Sequence, residues 1–435
     1  MKPVKVGLIG LGNVGSGTLS ILVENAAGIA QKLGFPLEVA AVCSPRVAEK
    51  KLPEGLGAGV LRTTDWREVV NHPEVEIVAE LVGGTGVARE AIEAATRAGK
   101  SVVTANKELL ALHGAALWKG AIEAGANLAM EASVAGGIPI HTVLREGIAG
   151  DRVQSLFGIL NGTSNYILTE IEQKGSAFED VLKEAQRLGY AEADPSADID
   201  GYDARSKLAI LTALAFGEQI TPADIYTEGI RRVTPLDFEY AHTLKHTIRL
   251  IGTARRVKGG LAMSVRPTLL AQDAIMASVN GAYNAVWVRG EYGQDTFYYG
   301  RGAGPHPTGV AVVSDLMRMA RELRAGSPQR VSPFAHAKLE SEKPVSREGI
   351  ESAFYLRFQV KDQTGIISSL AGILAEHGIS IDAVLQLPGE SKAKLPFVIT
   401  VEPAPEGAMA QALARMAKLP FMMEAPVAMP MEKGV

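Results

Sequence analysis

The run Val4-Lys5-Val6-Gly7-Leu8-Ile9-Gly10-Leu11-Gly12-Asn13-Val14-Gly15 constrains the fold more than any other part of the chain. Six residues of strand character lead into a G-x-G-x-x-G, and residues 15–33 continue with the apolar spacing of a helix. A strand before and a helix after is the context in which this motif binds a dinucleotide. Gly10 permits a tight turn, Gly12 lets the backbone approach a pyrophosphate, and Gly15 lets the helix pack closely on the strand. The helix N-terminus then offers its N–H groups and a partial positive charge to the phosphates. Gly10, Gly12, Asn13, Val14 and Gly15 are therefore the expected cofactor contacts.

The pattern that follows repeats this unit. Strand-like segments at 37–42, 75–82, 101–104 and 127–131 alternate with Ala-rich helical stretches at 87–98 and 108–124. Such alternation implies a parallel, doubly wound sheet. Near residue 150 it changes. Segments 153–160, 263–271 and 284–289 read as strands, with helical stretches at 177–188 and 201–217 between the first two, as in an α+β domain. Gly/Pro-rich 300–309 reads as irregular, 310–324 as helix and 326–350 as a linker. A new strand–helix–strand pattern starts at 353. The expectation is an α/β chain in three parts. A Rossmann-type nucleotide domain spans 1–135, closed by a returning segment 300–325. An α+β domain for catalysis and dimerisation spans 136–299, and a small domain spans 351–435.

Composition removes several function classes. A net charge of -4 gives no footprint for nucleic acid or an anionic membrane. No apolar run reaches the roughly 18 residues of a membrane span. The start runs straight into a strand, with no room for a signal peptide. The single cysteine, Cys43, forms no intrachain disulfide, which fits a reducing cytoplasm. The second strand ends Val42-Cys43-Ser44-Pro45-Arg46, where an NAD site usually has an acid for the ribose 2′-OH. Ser44 and Arg46, with Lys50 and Lys51 nearby, suit a 2′-phosphate instead. NADP is expected, with NAD as the alternative.

Other residues carry reaction chemistry. Asp203 and Lys207 lie four apart on one face of the helical stretch 201–217. Hydride transfer to a carbonyl needs a proton donor, and a lysine fixed by a carboxylate supplies one. Lys107 follows a strand at the sheet edge where ligands of such folds bind. It also sits at a helix start, which disfavours a cation. Glu192 lies in a segment that Pro195 keeps out of helix. Segment 131–138 has no side chain for a transition metal, only Glu131 and bare carbonyls, and such oxygens suit a hard cation.

Four segments resemble the homoserine dehydrogenase family: Thr104-Ala105-Asn106-Lys107, residues 131–139 (EASVAGGIP), Asn161-Gly162-Thr163-Ser164-Asn165-Tyr166, and residues 190–207 (YAEADPSADIDGYDARSK). They span most of 4–320 in the family's order. The resemblance implies reversible, nicotinamide-dependent reduction of L-aspartate 4-semialdehyde to L-homoserine. It assigns proton donation to Lys207 and the fixing of lysine and substrate to Asp203. Glu192 would hold the substrate ammonium, and Lys107 would contact substrate or cofactor. A monovalent cation, sodium or potassium, would sit on Glu131 and the carbonyls of Val134, Gly136 and Ile138. Gly302 and Gly304 would return to the nucleotide.

Residues 353–431 resemble an ACT domain, a βαββαβ fold, through residues 358–366 (FQVKDQTGI) and Gly378-Ile379-Ser380-Ile381. Asp362 is expected to cap the helix 366–376. An amino-acid effector, threonine in this family, and a homo-oligomer are implied. Two other readings compete. Aspartate-semialdehyde dehydrogenase needs a cysteine nucleophile, and Cys43 sits at the adenosine side. A Rossmann/ACT amino-acid or redox sensor would need none of Lys207, Asp203, Glu192 and Lys107.

Overall fold

A computed structural model describes residues 2–326, 334–341, 344–387 and 394–434. The chain forms two compact units, each assembled from three stretches. Met1–Val153, Ser206–Pro222 and Asn284–Glu342 make the first; Gln154–Arg205, Ala223–Tyr283 and Lys343–Val435 make the second.

The first unit holds a parallel sheet of β1 (Val4–Ile9), β2 (Leu37–Cys43), β3 (Leu61–Thr63), β4 (Ile77–Glu80), β5 (Ser101–Thr104) and β6 (Leu128–Ala129). The order is β3-β2-β1-β4-β5-β6, so the winding direction reverses between β1 and β4. The strands are apolar along their length because helices cover both faces. The core gathers Val4, Val6 and Leu8 of β1 with Leu19 of the helix Asn13–Glu24 and Val312, Leu316 and Met319 of the helix Pro305–Arg324. Each such burial contributes about 1.5–3 kcal/mol.

Two expectations change here. The helix read over 15–33 is two helices, Asn13–Glu24 and Ala26–Leu33, broken at Asn25 with φ −104° and ψ 18°. The segment 300–309 is not irregular throughout, because a helix begins at Pro305. Proline is tolerated in a first turn, where its missing N–H has no intrahelical partner to lose.

The second unit holds β7 (Val153–Ile159, from Gln154 on), β8 (Tyr226–Thr227), β9 (His246–Val257) and β10 (Gly260–Ala271). β9 and β10 form one long hairpin, paired from His246↔Ala271 to Val257↔Gly260. β9 went unread in the sequence because Arg249 and Arg255 interrupt its apolar pattern. Arg249 is buried and donates to Glu172 at 2.8 Å. The strands β11 (Tyr283–Gly290) and β12 (Asp295–Arg301) belong, from Asn284 on, to the first unit.

β13 (Glu351–Val360), β14 (Ile381–Leu385), β15 (Leu395–Pro405) and β16 (Val427–Glu432) alternate with the helices Ile366–Glu376 and Glu406–Met416 in a βαββαβ order. In the second unit the strands run β7-β9-β10-β16-β13-β15-β14, with β8 beside β10. β16 pairs antiparallel with β13 and parallel with β10 (Leu269↔Met431, Leu270↔Glu432). The C-terminal module thus continues the sheet of the preceding region. The stretch read as a linker is also built in. Phe334 is buried against Trp118, ring centroids 5.8 Å apart, and the Val345 N–H donates to the Leu261 carbonyl at 2.9 Å. Residues 327–333 and 342–343 of that stretch lie outside the described residues.

Candidate active site

At the end of β1 the chain turns on Gly10, whose φ of +101° favours glycine; a Cβ there would stand 2.5 Å from the Leu81 carbonyl oxygen. A Cβ on Gly15 would come within 2.0 Å of the Gly10 carbonyl oxygen. Gly12 differs, because no heavy atom lies within 4 Å of where its Cβ would be. The helix Asn13–Glu24 starts on Gly12 without a side-chain cap, so the N–H groups of Asn13, Val14 and Gly15 open its N-terminus. This open helix end lies where the sheet reverses direction, the place and electrostatics that suit a pyrophosphate.

The Gly10 N–H donates to the Cys43 carbonyl at 2.9 Å, tying the turn to β2. Beyond β2, Ser44 is buried and its N–H donates to the Thr63 carbonyl at 3.1 Å, while Arg46 stands exposed. Burial pushes the Cys43 thiol up to about 11, with Asp65 and Glu68 adding to the shift, so it stays a thiol.

On the other side of the crevice stands Glu80, which sequence reading passed over. It is fully buried at the end of β4. Its Oε1 accepts from the Val82 N–H at 2.8 Å and its Oε2 from the Thr104 hydroxyl at 2.7 Å. Thr104 Oγ1 accepts from the Asn106 N–H at 3.0 Å, and Asn106 Nδ2 donates to the Gly84 carbonyl at 2.7 Å. Asn106 also caps the helix Lys107–Glu123 by accepting from the Leu109 N–H at 3.1 Å. This chain fixes the loop after β4 and sets half-buried Lys107 at the helix start. The only sequence signal was an acid, Glu80, near the end of the otherwise apolar stretch 77–82.

The acidic segment is organised by Asn161, which ends the turn after β7 and caps the helix Gly162–Lys174. Its Oδ1 accepts from the Ser164 N–H at 2.8 Å. Its Nδ2 donates to Asp198 at 2.7 Å and to Asp203 at 2.8 Å. Both N–H donors of one amide are thus spent on two carboxylates. The Ser164 hydroxyl donates to the Asp198 carbonyl at 2.8 Å, and Arg231 grips Asp200 with Nε and Nη2 at 2.5 and 2.9 Å. Asp203 and Lys207 lie one turn apart on the helix Tyr202–Phe216, and both are buried. Glu192 is exposed in irregular chain, where its carbonyl accepts from Gln186 Nε2 at 3.0 Å.

In the first unit, the loop 131–138 packs against the returning segment. The Gly137 N–H donates to the Arg301 carbonyl at 2.9 Å, and a Cβ on Gly136 would stand 2.6 Å from the Gly302 carbonyl oxygen. Gly304, with φ +124°, opens the helix Pro305–Arg324. Glu131 accepts from the His141 N–H through Oε1 at 2.9 Å, and from the Thr142 N–H and hydroxyl through Oε2 at 2.8 and 2.6 Å. A carboxylate offers roughly four lone-pair sites, so one on Oε1 remains. The Ile138 carbonyl accepts from the Ile140 N–H at 2.8 Å and keeps its second lone pair. This donor set fits a weakly held hard cation. Among the described residues no three His, Cys, Asp or Glu gather as metal ligands. Beneath the loop, Asp315 accepts from the Glu131 N–H at 2.8 Å; burial pushes its carboxyl up to about 6 against the pull of Arg318. Fully buried His141 is held neutral, burial bringing it down to about 3.

In the C-terminal module the helix Ile366–Glu376 begins on Gly365 with φ +86° and no side-chain cap. The expected cap from Asp362 is therefore not made, because the left-handed glycine already turns the chain into the helix.

A doubly wound sheet with an open, glycine-lined helix start where the strand order reverses is the fold of an NAD(P)-dependent oxidoreductase. Residues 10–131 match the NAD-binding domain of homoserine dehydrogenase, 139–317 match homoserine dehydrogenase, and 354–421 match the ACT domain. The homoserine dehydrogenase of Pseudomonas aeruginosa is 44% identical over 403 residues, 92% of either chain. That of Neisseria gonorrhoeae is 43% identical over 89% of this chain and 88% of its own. A solved homoserine dehydrogenase from Thiobacillus denitrificans superposes with a TM-score of 0.92 at 41% identity over 99% of both chains. A hyperthermophilic archaeal homoserine dehydrogenase in complex with NADPH matches 73% of this chain and 97% of its own, with a TM-score of 0.62 at 26% identity. The chain belongs to the homoserine dehydrogenase family. Among the described residues no helix is long and apolar enough to cross a membrane.

Proposed function

We propose that the chain reversibly reduces L-aspartate 4-semialdehyde to L-homoserine with NADPH, on the route to threonine, methionine and isoleucine. The bound nicotinamide supplies or takes the hydride at the substrate's C4. Lys207 gives a proton to the carbonyl oxygen as C4 is reduced and takes it back in the reverse direction. Asp203, held by Asn161, orients Lys207 and the substrate. Glu192 takes the substrate ammonium, and Lys107 stands beside substrate and cofactor.

The observation that carries this reading is the Asn161 amide bridging Asp198 and Asp203, one helical turn from Lys207. A surface ion pair needs no such support. Gly10, Gly12, Asn13, Val14, Gly15, Gly302 and Gly304 form the cofactor cradle. Ser44 and Arg46 favour the 2′-phosphate, and the NADPH bound by the archaeal relative supports that choice. A sodium or potassium ion on Glu131 and the carbonyls of Val134, Gly136 and Ile138 would brace the loop against Gly302. The ACT domain supports control by an amino acid, threonine first. The position of β14 as an edge strand among the described residues supports a homo-oligomer. The lone buried thiol supports a cytoplasmic setting. In functional terms 1–135 binds nucleotide and 136–299 binds substrate.

Lys207→Ala tests the central role. Its kcat should fall roughly 10²–10⁴-fold, with NADPH binding, followed by fluorescence, unchanged. A kcat within a few-fold of the parent would remove Lys207 from the chemistry.

A further inference from the structure

Two helices each carry a lysine of the site. Lys107 opens the helix Lys107–Glu123, and Lys207 lies in the second turn of the helix Tyr202–Phe216. Lys107, Leu110, Gly114 and Trp118 recur at helical spacing and so share one face. Leu110 and Gly114 of that face, with Ile210 and Ala213 of the other helix, wall a residual void of only about 30 Å³. The ring that closes this gap comes from neither helix. It is Phe334, only 2% exposed, with its ring centroid 5.8 Å from that of Trp118. A Cβ on Gly114 would stand 3.1 Å from the Phe334 Cζ. Glycine inside a helix is less favourable than alanine, and here it makes room for the ring.

Two further grips hold the segment 334–340. Both take main-chain groups at the end of the helix Tyr202–Phe216, where the last carbonyls have no partner within the helix. His336 Nε2 lies 3.0 Å from the Leu214 carbonyl oxygen. A carbonyl can only accept, so that nitrogen carries the proton. The Glu340 N–H donates to the Gly217 carbonyl, and the Glu340 carbonyl accepts from the Gln219 N–H, both at 2.7 Å. Between the two anchoring rings Ala335 has φ +64°, a left-handed backbone that a residue with a Cβ keeps only when its surroundings impose it. A passive connector needs neither a buried ring nor a strained residue. All these residues belong to the first unit, with Lys107 and Lys207.

We propose that the segment 334–340 is a clamp and that Phe334 is a positioning residue for the reduction. Its ring sets the separation and tilt of the two helices, and with them the placement of Lys207 against Lys107. The proposal rests on the roles given above to the two lysines. Phe334 acts only through the helices. Gly114 and Leu214 each lie seven residues beyond a lysine, about 10 Å along the axis at a rise of about 1.5 Å per residue. Slack at the clamp therefore reaches the lysines as a tilt of the rods that carry them. Reacting groups must be held to within about 0.5 Å by the packing of their supports. A misplacement of about 1 Å costs about a hundredfold in rate.

The test is single-turnover oxidation of NADPH by the full-length enzyme with L-aspartate 4-semialdehyde, beside NADPH binding by fluorescence and the melting temperature. Phe334→Ala should slow the turnover about ten- to a hundredfold and leave NADPH affinity within about twofold. Phe334→Leu refills most of the space and should recover most of the rate. An apolar hole of this kind takes up benzene, which should raise both the melting temperature and the rate of Phe334→Ala and leave the parent rate unchanged. His336→Ala should slow the turnover about three- to tenfold, and His336→Gln, which keeps an N–H donor, should recover it. A rate in Phe334→Ala within about twofold of the parent overturns the proposal. So does an equal loss of rate and NADPH affinity, or a melting temperature raised by benzene with no gain in rate. If Phe334→Ala does not fold, the His336 pair decides, and equal rates in His336→Ala and His336→Gln overturn the clamp. A parental rate in Lys207→Ala brings down the lysine roles and the clamp with them. A slow Lys207→Ala beside a fast Phe334→Ala sinks the clamp alone.

Discussion

The nucleotide crevice and the acidic segment are made of different material. The crevice is main chain: Gly10 and Gly15 serve by lacking a Cβ, and Gly12 by leaving a helix end open. The acidic segment is side chain, two carboxylates held by one amide 42 residues before Asp203 in sequence. A main-chain site tolerates changes of charge nearby and fails when atoms are added. A side-chain site tolerates added bulk poorly and fails outright when one polar group is lost, since its partners are then buried unsatisfied.

That contrast can be broken most forcefully at Gly12. Gly12→Val has room for its side chain in the protein, so the fold should survive with melting temperature nearly unchanged. The two methyls fill the space above the helix start, and NADPH binding by fluorescence should weaken at least about a hundredfold. Retained affinity would mean that the phosphates lie elsewhere. Asn161→Leu keeps the branched shape and removes both donors. The kcat should drop about ten- to a hundredfold while NADPH affinity holds, because only the side-chain site is touched. An equal loss of both would show the two regions to be less separate than their chemistry implies. Arg46→Glu sharpens the comparison at a place where the crevice relies on a side chain. The ratio of kcat/KM for NADPH over NADH should fall about tenfold, as an acid repels a 2′-phosphate and accepts from a 2′-OH. A constant ratio would make Arg46 a solvated loop charge.

The same contrast explains what could be read from the residues alone. Glycine spacing reports directly on backbone approach, so the motif, the parallel sheet and the helices Val87–Arg97 and Lys107–Glu123 were legible. Asp203 and Lys207 were visible because i,i+4 pairing is local. Asn161 was quoted as part of a motif, but its bonds to Asp198 and Asp203 are long-range and leave no periodic trace. Glu80 was hidden for the same reason. β9 was missed because buried Arg249 breaks its pattern, a charge whose partner, Glu172, is 77 residues away. Polar composition at 326–350 gave no sign of a single anchoring ring such as Phe334.

The position of β16 has a consequence for how the protein is made. The strand Val427–Glu432 lies between β10 and β13, so the sheet of the second unit stays open in its middle until those residues have left the ribosome. At roughly 5–20 residues per second, more than 150 residues of synthesis separate β10 from the strand that covers its edge. During those seconds the flank at Leu269 and Leu270 offers unpaired backbone to any other extended chain. The hazard of mispairing at that flank therefore falls late in synthesis, long after the strands β1–β6 have emerged.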